Sequence, residues 1–147
     1  MDKQLALTYP GGNYKRIPIP ATAGNVASDL VTPGLTKRYL IIEASIILVC
    51  DANAANRYIR MTKFNATPVA ITGLAVGTVL IANETGRLEI GPITYIRNAE
   101  AGTGGVTSDY VGYAYPPIVN ETDFIRISID GGLAGDSFSG YVDVLEL

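Results

Sequence analysis

The stretch Lys37-Arg38-Tyr39-Leu40-Ile41-Ile42-Glu43-Ala44-Ser45-Ile46-Ile47-Leu48-Val49-Cys50-Asp51 decides how this chain is to be read. Leu40, Ile42, Ala44, Ile46, Leu48 and Cys50 are alternate residues and all are apolar. Period two is the signature of a strand, in which successive side chains point to opposite faces. The other face carries Tyr39, Ile41, Glu43, Ser45, Ile47 and Val49 and is expected to be half-covered. At about 3.3 Å per residue the run would exceed ~40 Å, which is long for one strand, so a bend or bulge is expected within it.

Working outward, the same texture recurs. Asp51–Asn56 is rich in Asn and Asp and reads as a turn. Arg57–Phe64 follows as a return strand with Ile59 and Met61 inward and Arg60 and Thr62 outward. Val69–Thr72 and Val76–Ala82 read as two strands broken at Gly73, and Arg87–Arg97 as another. Asn98–Asp109 is the loosest segment, and Tyr110–Tyr115 is a short aromatic strand. Phe124–Asp130 alternates with Ile125, Ile127 and Ile129 inside. Tyr141–Leu147 closes the chain with Val142 and Val144 on one face and Asp143 on the other. Ala23–Val31 has room for a turn of helix. Sixteen Gly and eight Pro are scattered between these runs as punctuation. Short strands at regular spacing with turn signals between them indicate an all-β sandwich. The expectation is a two-sheet antiparallel sandwich of jelly-roll type with about eight strands. Residues 1–36 form an extended N-terminal arm and edge segment, and residues 37–147 the sandwich, within one domain. Tyr14–Pro20 is held extended by its prolines, which cannot donate to a ladder and so belong at a sheet edge or on the surface.

The chain has 147 residues, 11 Lys+Arg against 14 Asp+Glu, no His and one Cys. The acidic balance argues against nucleic acid or an anionic membrane as partner. Without His, the commonest metal ligand and the commonest general base are missing. One Cys rules out an internal disulfide and any multi-Cys zinc site, and Cys50 reads as a small buried apolar residue. Met1–Pro10 has no apolar run of signal-peptide length, so synthesis in a reducing cytoplasm is expected.

The local motifs are weak. Gly102-Thr103-Gly104-Gly105 lacks the Gly-Lys-Ser/Thr ending of a phosphate loop. Asp130–Asp136 lacks the spacing and terminal Glu of a calcium loop and reads as a strand connection. The Asn-x-Thr triplets at Asn65, Asn83 and Asn120 read as turn chemistry. No elbow of the G-x-S-x-G kind and no selected carboxylate pair is present. The expectation is therefore no enzyme, no catalytic residue, no cofactor and no metal.

Residues 37–44, followed by Asn53-Ala54-Ala55-Asn56-Arg57-Tyr58-Ile59-Arg60-Met61, resemble a pattern of small structural proteins of tailed bacteriophages. There a long strand leads into an Ala/Asn-rich turn and an Asn-Arg return strand. Phe124–Ile129 and Asp136–Val144 are similar to the last hairpin of such domains. The resemblance covers about a third of the chain. It implies a jelly-roll sandwich on a virion, most often a head decoration (cement) protein, made in the host cytoplasm. Such a protein binds the major capsid protein on the capsid surface and is commonly a homotrimer. Contact with that partner is expected from the N-terminal segment, at Leu5, Leu7, Tyr9, Tyr14, Lys15 and Arg16, because apolar and basic residues alternate there with prolines. Two alternatives stay open. One is a sugar- or receptor-binding domain of a virion fibre, using Tyr110, Tyr113 and Tyr115. The other is a small self-assembling jelly-roll shell subunit.

Overall fold

The computed structural model of the chain describes residues 12–30, 32–93 and 106–147. It is built from ten strands, β1 (Asn13–Ala23), β2 (Ser28–Leu30), β3 (Tyr39–Val49), β4 (Tyr58–Phe64), β5 (Ala70–Val76), β6 (Thr85–Pro92), β7 (Val106–Tyr113), β8 (Ile118–Val119), β9 (Phe124–Asp130) and β10 (Ser137–Glu146). One sheet has the order β1-β10-β3-β6-β7, with β8 added against β3. The other has the order β2-β9-β4-β5.

The pairing is nested. β1 pairs with β10, β2 with β9, β3 with β6 and β4 with β5, each antiparallel. Those eight strands form one long two-stranded ribbon whose mate for each early strand is a late one. The ribbon is folded over so that β10 also meets β3 and β9 also meets β4. This is the double Greek key of a jelly roll. Its eight strands differ from the eight read from the sequence: β1 and β2 join them, Ala70–Val76 is one strand, residues 77–82 form none, and Tyr110–Tyr113 belongs to the added β7. β7 and β8 are additions inserted between β6 and β9. β7 lies parallel to β6, and β8 pairs with Tyr39 and Leu40 at the start of β3.

The core fills the space between the sheets. Ile46, Leu48, Met61, Leu88, Ile127 and Val142 are all fully buried in it. Alternation supplies it from each strand: Ile59 and Met61 from β4, Ile125, Ile127 and Ile129 from β9, and Val142 and Val144 from β10. Cys50 is buried with them.

The expected irregularity in β3 is a bulge, and it changes which residues face the core. Glu43 pairs with Asp143, but Val144 pairs with Ile41, so Ile42 is an extra residue on β3. Inserting one residue reverses the parity of everything before it. Tyr39 and Ile41 therefore join the main core with Ala44, Ile46 and Leu48. Leu40 and Ile42, expected in that core, pack instead with Leu145 and Leu147 in a separate buried cluster. Ile41, expected on the second face, is fully buried.

Other boundaries moved for tertiary reasons. The described part of Ala23–Val31, residues 23–30, holds no helix. After a turn at Gly24–Ala27 its residues 28–30 pair with Ile125–Ile127 as β2. β5 runs straight through Gly73, because Gly73 lies opposite Thr62 in the ladder. After β5 the chain stays tied to β4 and its approach by the Gly77 N–H on the Ile59 carbonyl and by a bridge between Leu80 and Arg57. β6 begins at Thr85 and ends at Pro92. Residues 98–105 of the segment expected to be loose, including the Gly102–Gly105 run, lie outside the described residues. Its last part, 106–109, starts β7, anchored where Thr78 donates to the Asp109 carboxylate from its N–H and its hydroxyl, both at 2.6 Å. Thr62, expected outward, is buried beside the β5 bulge.

One end of the sandwich is pinned by a buried ion pair. Arg57, which has no exposed surface, donates Nε to Asp136 at 2.9 Å and Nη2 to Asp51 at 2.5 Å, and also reaches the Ala55 carbonyl at 3.1 Å. The Asp136 carboxylate accepts the backbone N–H of Asp51 at 2.8 Å and that of Leu133 at 2.7 Å. Its carbonyl accepts the N–H of Gly24. The β1–β2, β3–β4 and β9–β10 connections thus meet at one residue, Asp136. They meet so closely that a Cβ on Gly132 would lie 2.0 Å from the Gly24 carbonyl oxygen, so glycine is required there. Burial pushes the Asp136 carboxyl up. The N–H donors of Leu133 and Asp51 and the Arg57 guanidinium outweigh that and hold it below its ordinary 3.8.

Two stability predictions follow from this packing. Ile127→Ala is expected to cost about 2–5 kcal/mol in denaturant unfolding, as a fully buried residue in mid-strand. Ser128→Ala, on the opposite face of the same strand, is expected to cost well under about 1 kcal/mol. Equal losses would show the strand register to be reversed. Asp136→Ala is expected to cost about 3–5 kcal/mol near neutral pH, because it strands a buried guanidinium. Since the folded carboxyl titrates below its unfolded value, its contribution is complete above about pH 5 and is lost as pH falls through the folded value. Acid unfolding curves are therefore expected to be steeper below about pH 4 for the unaltered chain than for Asp136→Ala. Parallel curves would show that Asp136 is not held ionised.

Candidate functional site

The residues expected to contact a partner divide between strand and chain start. Leu5, Leu7 and Tyr9 lie outside the described residues. Tyr14, Lys15 and Arg16 belong to β1, an edge strand of the six-stranded sheet in register with β10. Of the N-terminal arm and edge segment expected over residues 1–36, Asn13–Ala23 is an edge strand of the sandwich itself. Pro18 and Pro20 sit on that edge strand, where a missing N–H interrupts no inner ladder. The two basic side chains are already engaged. Lys15 Nζ lies 2.6 Å from Glu146, which also holds Lys37 at 3.2 Å. Arg16 grips Asp143 through Nε and Nη2, both at 2.8 Å, and its guanidinium stacks 3.8 Å from the Tyr141 ring centroid. Tyr141 in turn donates to Glu43 at 3.1 Å. Asp143 is nearly enclosed, and burial pushes its carboxyl up. Arg16 and Tyr14 outweigh that and hold it below the ordinary carboxylate range.

Tyr110, Tyr113 and Tyr115 do not share a platform. Tyr110 lies on the outer side of β7, its hydroxyl on the Pro92 carbonyl at 2.7 Å. Tyr113 packs against the core and donates to the Ile42 carbonyl at 2.5 Å. Tyr115, beyond the strand, is 88% exposed.

The carboxylates of the 130–136 connection are both committed to arginines, Asp130 to Arg60 and Asp136 to Arg57. The Asn-x-Thr triplets are turn elements, as expected. Asn65 accepts the N–H groups of Thr67 and Val69, Asn83 takes a left-handed φ of 62°, and Asn120 faces Asp123. Among the described residues no group of three or more Cys, Asp or Glu is placed to hold a metal ion. Thr36, Arg38, Asn120, Glu121 and Thr122 line an open polar depression.

The most organised surface is one the sequence reading did not single out, the outer face of the four-stranded sheet. Arg126 forms a two-bond pair with Asp29 at 2.6 and 2.7 Å. Its guanidinium lies 4.7 Å from the Phe64 ring centroid and 5.6 Å from that of Phe124. Those two rings stack at 5.4 Å with 13° between planes. Next along the face, Arg60 bonds Asp130 at 2.8 and 2.6 Å and lies 5.6 Å from the Tyr58 ring centroid. Beyond β4 the face runs onto β5. From Phe64 to Asn83 the chain carries no charged residue. Within that span Val69, Ile71, Val76, Val79 and Ile81 are each about half exposed. The signal was in the sequence as a long uncharged run, but periodicity assigned it to strands without saying which side would stay open.

Comparison with known proteins finds no matching family model and no match among curated proteins. The fold is similar to chains in two solved virus structures. One is from infectious bursal disease virus Gx strain, at 12% identity and a TM-score of 0.45, covering 92% of this chain and 32% of that one. The other is from the Gt strain of the same virus, at 10% identity and a TM-score of 0.41, covering 93% and 33%. The present chain spans about a third of the length of each.

Chelation is expected to leave the fold untouched. EDTA should not move the melting temperature, and a fall of several degrees would reveal a bound cation.

Proposed function

We propose that the chain is a structural subunit of a virion, of the decoration type, which attaches to an assembled capsid lattice and stabilises it. The observation that carries this reading is the nested jelly roll whose organised features lie on its sheet faces, with paired arginines and stacked aromatics on one and an ion-paired edge strand on the other. Faces rich in Arg, Tyr and Phe are suited to docking on another protein, whereas small ligands are held in concave pockets. The resemblance of residues 37–44, 53–61, 124–129 and 136–144 to structural proteins of tailed phages points the same way and suggests the major capsid protein as the partner. In this reading residues 2–11 reach the capsid, while Tyr14, Lys15 and Arg16 fix the base of that segment to the sheet. Lys15 and Arg16 do so through Glu146 and Asp143.

Deletion of residues 2–11 tests this. The truncated protein is expected to keep its melting temperature within a few degrees, because β1 and both of its ion pairs remain, and to stop co-sedimenting with capsids that lack it. Extending the deletion to residue 16 is expected to destabilise the fold as well, by leaving Asp143 and Glu146 without Arg16 and Lys15. Capsid binding unchanged by the shorter deletion would remove the arm from the proposal. No sedimentation of the full chain with any capsid would remove the decoration role. Closed particles formed by the protein alone would replace it with that of a shell subunit.

A further inference from the structure

On the outer face of the six-stranded sheet one row of side chains runs Tyr14, Leu145, Leu40, Ile118, across β1, β10, β3 and β8. Residues opposite one another in an antiparallel ladder share a face. Val144, next to Leu145, belongs to the core between the sheets, so this row points away from the second sheet. On an uncovered face, neighbours in a row are exposed to similar degrees. Here the ends are 46% and 43% exposed, and the middle two are 1% and 2%. Ile42 and Leu147 pack with those two. A fully buried centre inside a half-exposed rim means that something lies across it. The described chain supplies the rim but no roof. Pro117 continues β8 in the plane of the sheet, its carbonyl accepting the Ile41 N–H at 2.9 Å, and Tyr115 before it is almost fully exposed. We infer that residues 5–9 of the same chain are the roof, with Leu5, Leu7 and Tyr9 lying across Leu145 and Leu40 in the free protein.

Contact, length and pattern single out that occupant. A Cβ on Gly12 would lie 2.7 Å from Leu145 Cγ, so the backbone that leads into β1 already rests on the covered leucine. The segment before it starts at the seat. Four strands about 4.8 Å apart span roughly 14 Å, which five extended residues at about 3.3 Å each can cross. Pro10-Gly11-Gly12 is turn chemistry that lets the chain double back. Leu5, Leu7 and Tyr9 alternate with Ala6 and Thr8, so an extended segment presents all three on one side. No charge falls between Gln4 and Asn13, as an apolar seat requires. Any other occupant has to compete with a tethered segment whose effective concentration is of order millimolar. Ordering the segment costs conformational entropy that offsets much of its burial, so the seat is weak enough to be left. The same residues are those proposed to reach the capsid, so binding there requires them to leave this seat, a step that alone rests on the capsid reading.

The seat is tested on the purified full chain. Leu7→benzoylphenylalanine, irradiated in dilute solution, is expected to attach within its own chain to residues 38–42, 117–119 or 143–147. Leu5→Asp combined with Leu7→Asp is expected to raise the fluorescence of an added apolar dye several-fold by uncovering Leu145 and Leu40. Attachment elsewhere in the chain, attachment between chains, no attachment, or unchanged dye binding would each overturn the inference. In the presence of capsids lacking the protein, the attachment is expected to move to a capsid subunit. If it stays within the chain while the protein co-sediments, the exchange is overturned and the seat stands. If it stays within the chain and the protein does not co-sediment, the capsid reading fails and the seat stands.

Discussion

Arg57 gives up all contact with water and recovers it from groups that the chain delivers from separate places. Asp51 is on the same connection, six residues back, but Asp136 lies 79 residues further on. A lone buried guanidinium would be strongly destabilising, so the pair forms only if the β3–β4 and β9–β10 connections close on the same point. Asp136 also takes two backbone N–H groups and offers its carbonyl to Gly24, which draws in the β1–β2 connection. The jelly roll folds a ribbon in half, and nothing in strand pairing alone sets where its crossings at that end should lie. The buried pair does so. Its contribution is to register more than to net stability, because desolvation offsets most of the attraction.

The second constraint is the single extra residue at Ile42. Without it, β3 would present one unbroken apolar face, and Leu40 would point between the sheets with Ala44 and Ile46. With it, β3 serves two clusters in turn. Its second half builds the main core, and its first half contributes Tyr39 and Ile41 to that core and Leu40 and Ile42 to the packing around Leu145. This explains why the chain is apolar on both faces of this strand. β10, β6 and β8 all pair with β3, so it is covered along both edges as well.

The same accounting bears on the surface. Charged groups near the sheet faces are mostly spent inside the chain: Lys15 on Glu146, Arg16 on Asp143, Arg60 on Asp130, Arg126 on Asp29. What remains open is apolar and lies along β5 and the leg that follows it. Large exposed apolar strips carry a cost in solubility, and they persist in proteins chiefly where another surface covers them. The fold thus directs attention away from a pocket and towards its faces.

The sequence alone determined the class and much of the core. Period-two alternation in β3, β4, β9 and β10 is a local property, visible without knowing any partner strand, and Ile46, Leu48, Ile59, Met61 and Ile127 are buried where it puts them. Turn chemistry at Asn65, Asn83 and Asn120 is local for the same reason. The tertiary structure decided the rest. Whether Leu40 or Ile41 faces the core depends on β10 lying alongside with one residue fewer. Residues 28–30 became a strand because β9 offered an edge. Arg57 read as the start of an ordinary return strand, since its partner Asp136 is distant in sequence and sits in what looked like a plain connection. The face beside β5 read as two strands, and only the sheet order showed that nothing in the described chain covers its outer side. Alternation fixes which side chains share a face. Long-range pairing fixes what that face meets, and no short stretch of sequence contains that information.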